Sequence, residues 1–99
     1  MEVKLEQRRS NIGTFYIDDD DGRIGKMDFL INDGVMNIYH TEVNPEMQGS
    51  GIGEQLVEAG VKFAREHHLK VLPTCTFARS VFDRVKEYQD LQAPPNRPR

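Results

Sequence analysis

The stretch Asn44-Pro45-Glu46-Met47-Gln48-Gly49-Ser50-Gly51-Ile52-Gly53-Glu54-Gln55-Leu56-Val57 constrains this chain more than any other. It closes a strand, turns on glycines at alternate positions and opens an amphipathic helix in one continuous run. Glycine lets a backbone bend without Cβ clashes. The first N–H groups of the following helix have no partner within it, and together they carry about half a positive charge. A phosphate or pyrophosphate placed there is held by backbone donors, with no Lys or Arg required. The corner therefore predicts an anion seat between a sheet and a helix.

The segments before the corner read as an antiparallel meander. Glu2 to Glu6 alternates polar and apolar residues, as a short edge strand does. Thr14 to Ile17, Ile24 to Ile31 and Val35 to Val43 are rich in β-branched and aromatic residues, and they are separated by runs ending in Asp21-Gly22 and Asp33-Gly34. Asp-Gly is a strong hairpin signal. In the last strand, simple alternation puts Tyr39, Thr41 and Val43 on one face and Ile38, His40 and Glu42 on the other. Pro45 cannot donate to a ladder and ends it. The aspartate run 18–21 invites a calcium-loop reading, but with Gly22 at the sixth position the first ligand would be Ile17, which binds no cation. It reads as a solvated turn.

After the corner, Ile52, Leu56, Val57, Gly60, Val61 and Ala64 recur at threes and fours, which describes a helix over Gly51 to His68 with one face on a sheet. Lys62, Arg65, His67 and His68 crowd its C-terminal end, where the helix dipole favours positive charge, so the histidine pair caps a helix rather than binding a metal. Leu69 to Leu72 follows as a short strand, parallel to the one before the helix as in a β-α-β unit. Phe77, Val81, Phe82, Val85 and Tyr88 predict a second helix from about Ala78 to Tyr88. The expected domain is 1–90, with 91–99 as a disordered tail carrying three prolines. The fold class is α/β in the α+β sense: a mostly antiparallel mixed sheet with two helices.

Ninety-nine residues make one domain with one core. A formal net charge of -3 argues against nucleic-acid binding by bulk electrostatics. The single cysteine, Cys75, excludes an internal disulfide and a multi-Cys zinc site, and no apolar run has the length of a membrane span. The cytoplasm is the expected location, with neither a membrane nor a metal as partner.

Two familiar glycine motifs fail on spacing. A nucleotide-triphosphatase loop needs a Lys after its last glycine, and a dinucleotide fingerprint needs Gly-x-Gly-x-x-Gly, whereas this chain has Gly-x-Gly-x-Gly. What fits is Gln/Arg-x-x-Gly-x-Gly/Ala, met as Gln48-Gly49-Ser50-Gly51-Ile52-Gly53. This resembles the pyrophosphate motif of the GNAT superfamily of acetyl-CoA-dependent N-acetyltransferases, and the order of elements over residues 2 to 90 is similar too. His40 to Val43, Gln48 to Leu56 and Pro73 to Ala78 are most similar to the short YjdJ-type branch.

The resemblance implies acetyl-CoA as cosubstrate and an amine as acceptor, with a protein N-terminus or lysine among the candidates. It implies that the strands ending near Val43 and Leu72 part, so that the pantetheine arm enters between them and the thioester lies between 40–43 and 74–76. Thr41, Val43, Thr74 and Thr76 would line that gap, the amides of Gln48, Gly49, Ser50, Gly51, Ile52 and Gly53 would hold the pyrophosphate, and Phe77, Arg79 and Phe82 would lie along the arm or its nucleotide end. Family members usually build the acceptor side of the cleft from N-terminal helices, whereas Met1 to Asn32 reads as strands and turns. That leaves the acceptor side open, or completed by a bulky acceptor or a second subunit.

Amine acetylation needs a proton acceptor, a polarised thioester carbonyl and a proton for the departing thiolate. Glu42 or His40 can take the amine proton, and a backbone N–H near Val43 can polarise the carbonyl. Many GNAT enzymes supply the last proton from a Tyr early on the final helix, about where this chain has Phe82. Tyr88 comes nearly two turns later. Cys75, at a strand-to-helix turn where helix amides favour a thiolate, is then a candidate for covalent catalysis, for lining the pocket, or for simple packing. A CoA-binding module without turnover is the rival to an active transferase.

Overall fold

The computed structural model describes residues 2–94. Strands β1 (Lys4–Arg9), β2 (Ile12–Asp19), β3 (Gly22–Asn32) and β4 (Val35–Val43) form the antiparallel meander in sequence order, and β5 (Lys70–Pro73) joins β4 in parallel. Between β4 and β5 runs α1 (Ile52–Glu66), and α2 (Thr76–Arg84) follows β5. The β3–β4 turn holds Asp33 at φ 53° and Gly34 at φ 77°. Two successive positive φ values match the twist of a two-residue hairpin, which is why Asp-Gly stands there. In the aspartate run, Asp19 Oδ1 accepts the Asp21 N–H at 2.9 Å, so that carboxylate serves the turn itself.

Both helices lie on one face of the sheet. Leu56, Val57, Gly60, Val61 and Ala64 of α1 are buried against Phe15, Ile17, Met27, Phe29, Met36 and Ile38 of the strands. Val81 and Phe82 of α2 join the same core. Burying each large apolar side chain contributes about 1.5–3 kcal/mol, so this single layer supplies most of the driving force. The opposite face of the sheet carries no helix among the described residues.

The alternation expected in β4 breaks at one residue. Register pairs Phe29 with Ile38 but Asp28 with His40, so Tyr39 is an extra residue, a β-bulge. Met36 and Ile38 face the helices before it; beyond it Thr41 pairs with Met27 and Val43 with Gly25, also on the helix side. His40 and Glu42 share the open face as expected, but Ile38 does not share it with them.

The C-terminal end also departs from expectation. α2 is Thr76–Arg84 rather than 78–88, and a 3-10 turn, Lys86–Leu91, replaces its last part. Leu91 and Ala93 are buried, Gln92 bridges to Val71, and the Ala93 N–H donates to the Val71 carbonyl at 2.7 Å. Arg65 on α1 clamps this segment with two 3.0 Å bonds to the Asp90 carboxylate and one of 2.7 Å to the Glu87 carbonyl. The domain therefore runs at least through Ala93, because apolar burial and a planar Arg fork hold a segment that composition alone marks as a tail. Residues 95–99 of that expected tail lie outside the described residues.

Candidate functional site

β4 and β5 are paired from Val35–Lys70 to Ile38–Pro73 and then part. At the apex the Ile38 carbonyl accepts the N–H groups of Thr74 at 3.0 Å and Cys75 at 3.2 Å, which turns the chain away from β4. The Thr74 hydroxyl is committed there too, donating to Asn37 Oδ1 at 2.7 Å. Beyond the apex β4 continues to Val43 paired with β3 alone. Asn44 donates to the Ile24 carbonyl at 2.8 Å. Antiparallel bonding alternates along a strand, so the main-chain groups of Val43 and Thr41 point the other way, into the gap. Across it the Thr41 hydroxyl meets Cys75 Sγ at 3.2 Å.

At the open end of the gap lies the glycine corner. Gly49 has φ 87° and Gly51, the N-cap of α1, has φ 88°, values that any Cβ would strain, and a Cβ at either position would face open space. No side chain caps α1, and its first backbone bond is Gln55 N–H to the Gly51 carbonyl at 3.0 Å. The amides of Gly49, Gly51, Ile52, Gly53 and Glu54 have no acceptor among the described residues. Two amides of the expected set are used internally: Gln48 N–H reaches the Pro45 carbonyl at 3.4 Å and Ser50 N–H the Met47 carbonyl at 3.2 Å. The Ser50 hydroxyl also donates to Met47.

Gly53 has a different reason to be glycine. A Cβ there would sit 2.5 Å from the Phe77 ring, so this glycine brings the N-termini of α1 and α2 together. α2 is capped by no side chain either, and its first bond is Arg79 N–H to the Cys75 carbonyl at 3.0 Å. Two uncapped helix N-termini thus converge on the fork, an arrangement that favours negative charge. Thr41, Val43, Gln48, Gly49, Gly51, Gly53 and Phe77 line a cleft of about 510 Å³ here. A second hollow of about 820 Å³ shares Thr41, Val43 and Gln48 with it and is lined by Arg23, Lys26 and Glu42.

The remaining sequence candidates divide clearly. Thr76 and Arg79 are exposed on α2. Ile52 is buried, so only its amide is available, and Phe82 is 0% exposed in the core, where it packs on Tyr88 at 5.5 Å between ring centroids. Phe82 is therefore core rather than a cleft wall; its one-turn spacing from Ala78 and neighbour Val81 belongs to the buried stripe of α2.

On the open face, His40 Nε2 and Glu42 Oε2 lie 2.7 Å apart. A carboxylate only accepts, so Nε2 carries the proton in this bond, and in the neutral tautomer that donates it Nδ1 keeps its lone pair. The His40 bond holds the Glu42 carboxyl below its usual range. Sequence reading missed what lies beside this pair. Thr14 and Asp28 are the buried polar side chains of the described chain, and Thr14 Oγ1 donates to Asp28 Oδ1 at 2.6 Å. Lys26 Nζ reaches Asp28 Oδ2 at 3.2 Å, and Arg8 donates to the Thr14 hydroxyl at 2.9 Å. Burial pushes the Asp28 carboxyl up, but the Thr14 and Lys26 bonds outweigh it and leave the group below its ordinary value. The only advance signal was a polar residue at alternate positions in apolar strands.

A forked mixed sheet beside an uncapped, glycine-turned helix defines an α+β protein of the N-acetyltransferase class. The chain belongs to the GCN5-related N-acetyltransferase family, whose model matches residues 14–91. Among solved structures it is similar to a GCN5-like protein of Staphylococcus aureus assigned to the N-acetyltransferases, with 30% identity, a TM-score of 0.71, and coverage of 94% of this chain and 90% of that one. An aminoglycoside acetyltransferase from an uncultured soil metagenomic sample, solved with sisomicin, shares the fold at 18% identity and a TM-score of 0.64, over 93% of this chain and 63% of that one. The ribosomal-protein-S18-alanine N-acetyltransferase of Escherichia coli does so at 11% identity and a TM-score of 0.64, over 77% of this chain and 52% of that one. No curated protein sequence matches.

Proposed function

We propose that this chain is a small acetyl-CoA-dependent N-acetyltransferase acting as a single domain on an amine acceptor in the cytoplasm. The observation that carries the reading is the fork between β4 and β5 opening beside unbonded amides at the glycine corner. A diphosphate fits amides and helix dipole at Gly49, Gly51, Ile52 and Gly53 without a cationic side chain. An amide-bearing arm fits the free main-chain groups of Thr41 and Val43, as an added strand fits a sheet edge. Phe77 and Arg79 stand on the helix that borders this cleft.

The thioester carbonyl then lies within reach of a gap-facing N–H of β4, which stabilises the oxyanion of the tetrahedral intermediate. The acceptor approaches from the open face. Glu42, with its carboxyl held below the usual range, is a poorer base than an ordinary carboxylate. His40 Nδ1 therefore takes the amine proton, and Glu42 fixes the ring and balances its charge. The amine nitrogen bonds to the carbonyl carbon, the C–S bond breaks, and the CoA thiolate leaves toward the two helix N-termini, whose dipoles favour its charge until it takes a proton from solvent. With no helix over this face among the described residues, a bulky acceptor such as a protein amine has room.

A second route is favoured by one contact, the Thr41 hydroxyl 3.2 Å from Cys75 Sγ inside the fork. There the Cys75 sulfur bonds to the carbonyl carbon as its proton passes to the departing CoA thiolate, and the amine, giving its proton to His40, then breaks the Cys75 C–S bond and frees the thiol. Calorimetry with acetyl-CoA and CoA, combined with thiol release over a panel of amines, tests the function. Binding without turnover reassigns the chain as a CoA-binding module, and no binding overturns the proposal. Intact mass after acetyl-CoA exposure separates the routes: an added acetyl lost in Cys75→Ala marks the covalent one, and full activity of that variant excludes it.

A further inference from the structure

The open face of the sheet is a registered lattice of charge. Across the strands, one row runs Lys4, Tyr16, Lys26, Glu42 and the next runs Glu6, Thr14, Asp28, His40. At its centre Lys26, Asp28, His40 and Glu42 make a square with alternating polarity. Two sides are direct bonds along a strand, Lys26 to Asp28 at 3.2 Å and His40 to Glu42 at 2.7 Å. The other two are cross-strand pairs, Asp28 with His40 and Lys26 with Glu42.

Lys26 thus has two carboxylates within reach. Side chains of directly paired residues start roughly 5 Å apart, so a change of rotamer carries the ammonium from Asp28 to Glu42. Bound there, it would compete with His40 for the Glu42 carboxylate and pull it out of line with the ring. Asp28 is 8% exposed. A buried carboxylate is costly and persists only when well partnered. Both of its oxygens are committed, Oδ1 to Thr14, itself fixed by Arg8, and Oδ2 to Lys26. The core lies on the other face, so this expense serves nothing in the hydrophobic packing. Arg23, another cation near the square, is engaged by stacking on Tyr16 at 4.0 Å and by Glu6 and Asp18 at 3.9 and 3.7 Å.

We propose that Asp28 is a positioning residue: its buried carboxylate keeps the Lys26 ammonium off Glu42, and thereby leaves Glu42 to orient His40. The catalytic part of this rests on the His40–Glu42 reading above.

The test uses the full chain and two variants. Asp28→Asn keeps the shape and the Thr14 contact but releases Lys26, and kcat falls roughly tenfold, within the range of coupling between neighbouring charges, while acetyl-CoA affinity is unchanged. Adding Lys26→Gln to Asp28→Asn removes the competitor and restores kcat to within about twofold, the non-additivity expected of contacting residues. In parallel, the His40 Nε2 resonance of nitrogen-labelled protein moves in Asp28→Asn and returns in the double variant. The double variant has neither charge left unpaired, so its activity and spectrum decide even if the single change does not fold. A double variant whose kcat stays about tenfold below that of the natural chain, or whose His40 resonance does not return to its natural position, overturns the proposal, as does an unmoved His40 resonance in a folded Asp28→Asn. If the natural chain turns over no amine, the functional reading fails by itself, and the His40 resonance alone decides the role of Asp28.

Discussion

The two halves of β4 carry opposite obligations. Val35 to Ile38 is bonded to β3 on one side and β5 on the other, and it buries Met36 and Ile38 completely. Among the described residues, 39–43 are bonded to β3 alone, and Tyr39, His40 and Glu42 are exposed. Backbone N–H and C=O groups left without a partner must find one, in water or in an added strand, so the second half is an edge open to pairing. Closed pairing and open main-chain groups are separated along one strand by a single branching point at the Ile38 carbonyl.

If that separation holds, damage to the closed half is felt first in folding. Ile38→Ala destabilises the protein by about 2–5 kcal/mol through lost burial and a cavity. Thermal unfolding then shifts down by roughly 10 °C or more, since each kcal/mol moves a domain of this size by several degrees. A shift under 3 °C would mean the closed half is not the structural one, a threshold of roughly half the effect of one kcal/mol.

At the open end the sharpest probe is Gly53→Ala. The new methyl meets the Phe77 ring, overpacking that costs about 1–3 kcal/mol and pushes the two helix N-termini apart. Acetyl-CoA affinity falls with it, and adding Phe77→Leu recovers part of both; calorimetry and thermal melts read the pair.

A smaller effect concerns acid. The native Asp28 carboxyl sits below its ordinary value. A depressed carboxyl contributes stability above its unfolded pKa, about 3.9, and that contribution is lost as pH falls through the lower native value. Stability of the natural chain therefore drops more steeply than that of Asp28→Asn as pH is lowered below about 4, as denaturant titrations at several pH values would show. Parallel curves would show that the Asp28 charge is not coupled to folding.

The smallest effect is expected from Arg84→Ala. Its pair with Glu54 at 3.5 Å is exposed on both sides, so stability changes by less than about 0.5 kcal/mol. A larger loss would mean that this contact helps hold the α1 N-terminus open, contrary to its assignment as surface.

Much of the fold could be read from residues because the decisive signals are local. Asp-Gly pairs marked the turns, apolar spacing marked α1, and the run of glycines marked the corner. The reasons for those glycines were less legible: Gly49 and Gly51 are favoured by their positive φ, whereas Gly53 makes room for a ring that arrives from α2. Phe82 looked like a cleft residue from its place in the order of elements, yet helical phase turns it into the core. Leu91 and Ala93 looked like a tail because their packing partners lie far away in sequence.

Taken alone, the amino-acid order determined the meander, the crossover helix, the bend with its unbonded amides and the nearness of His40 to Glu42. Each follows from the conformational preference of a few consecutive residues. Only the tertiary structure decided that β4 shifts phase at Tyr39, that Thr41 faces Cys75, and that Asp28 rather than Glu42 holds Lys26. Those outcomes depend on which residue stands opposite which across the sheet, and pairing of that kind is a property of two strands together, written in neither one.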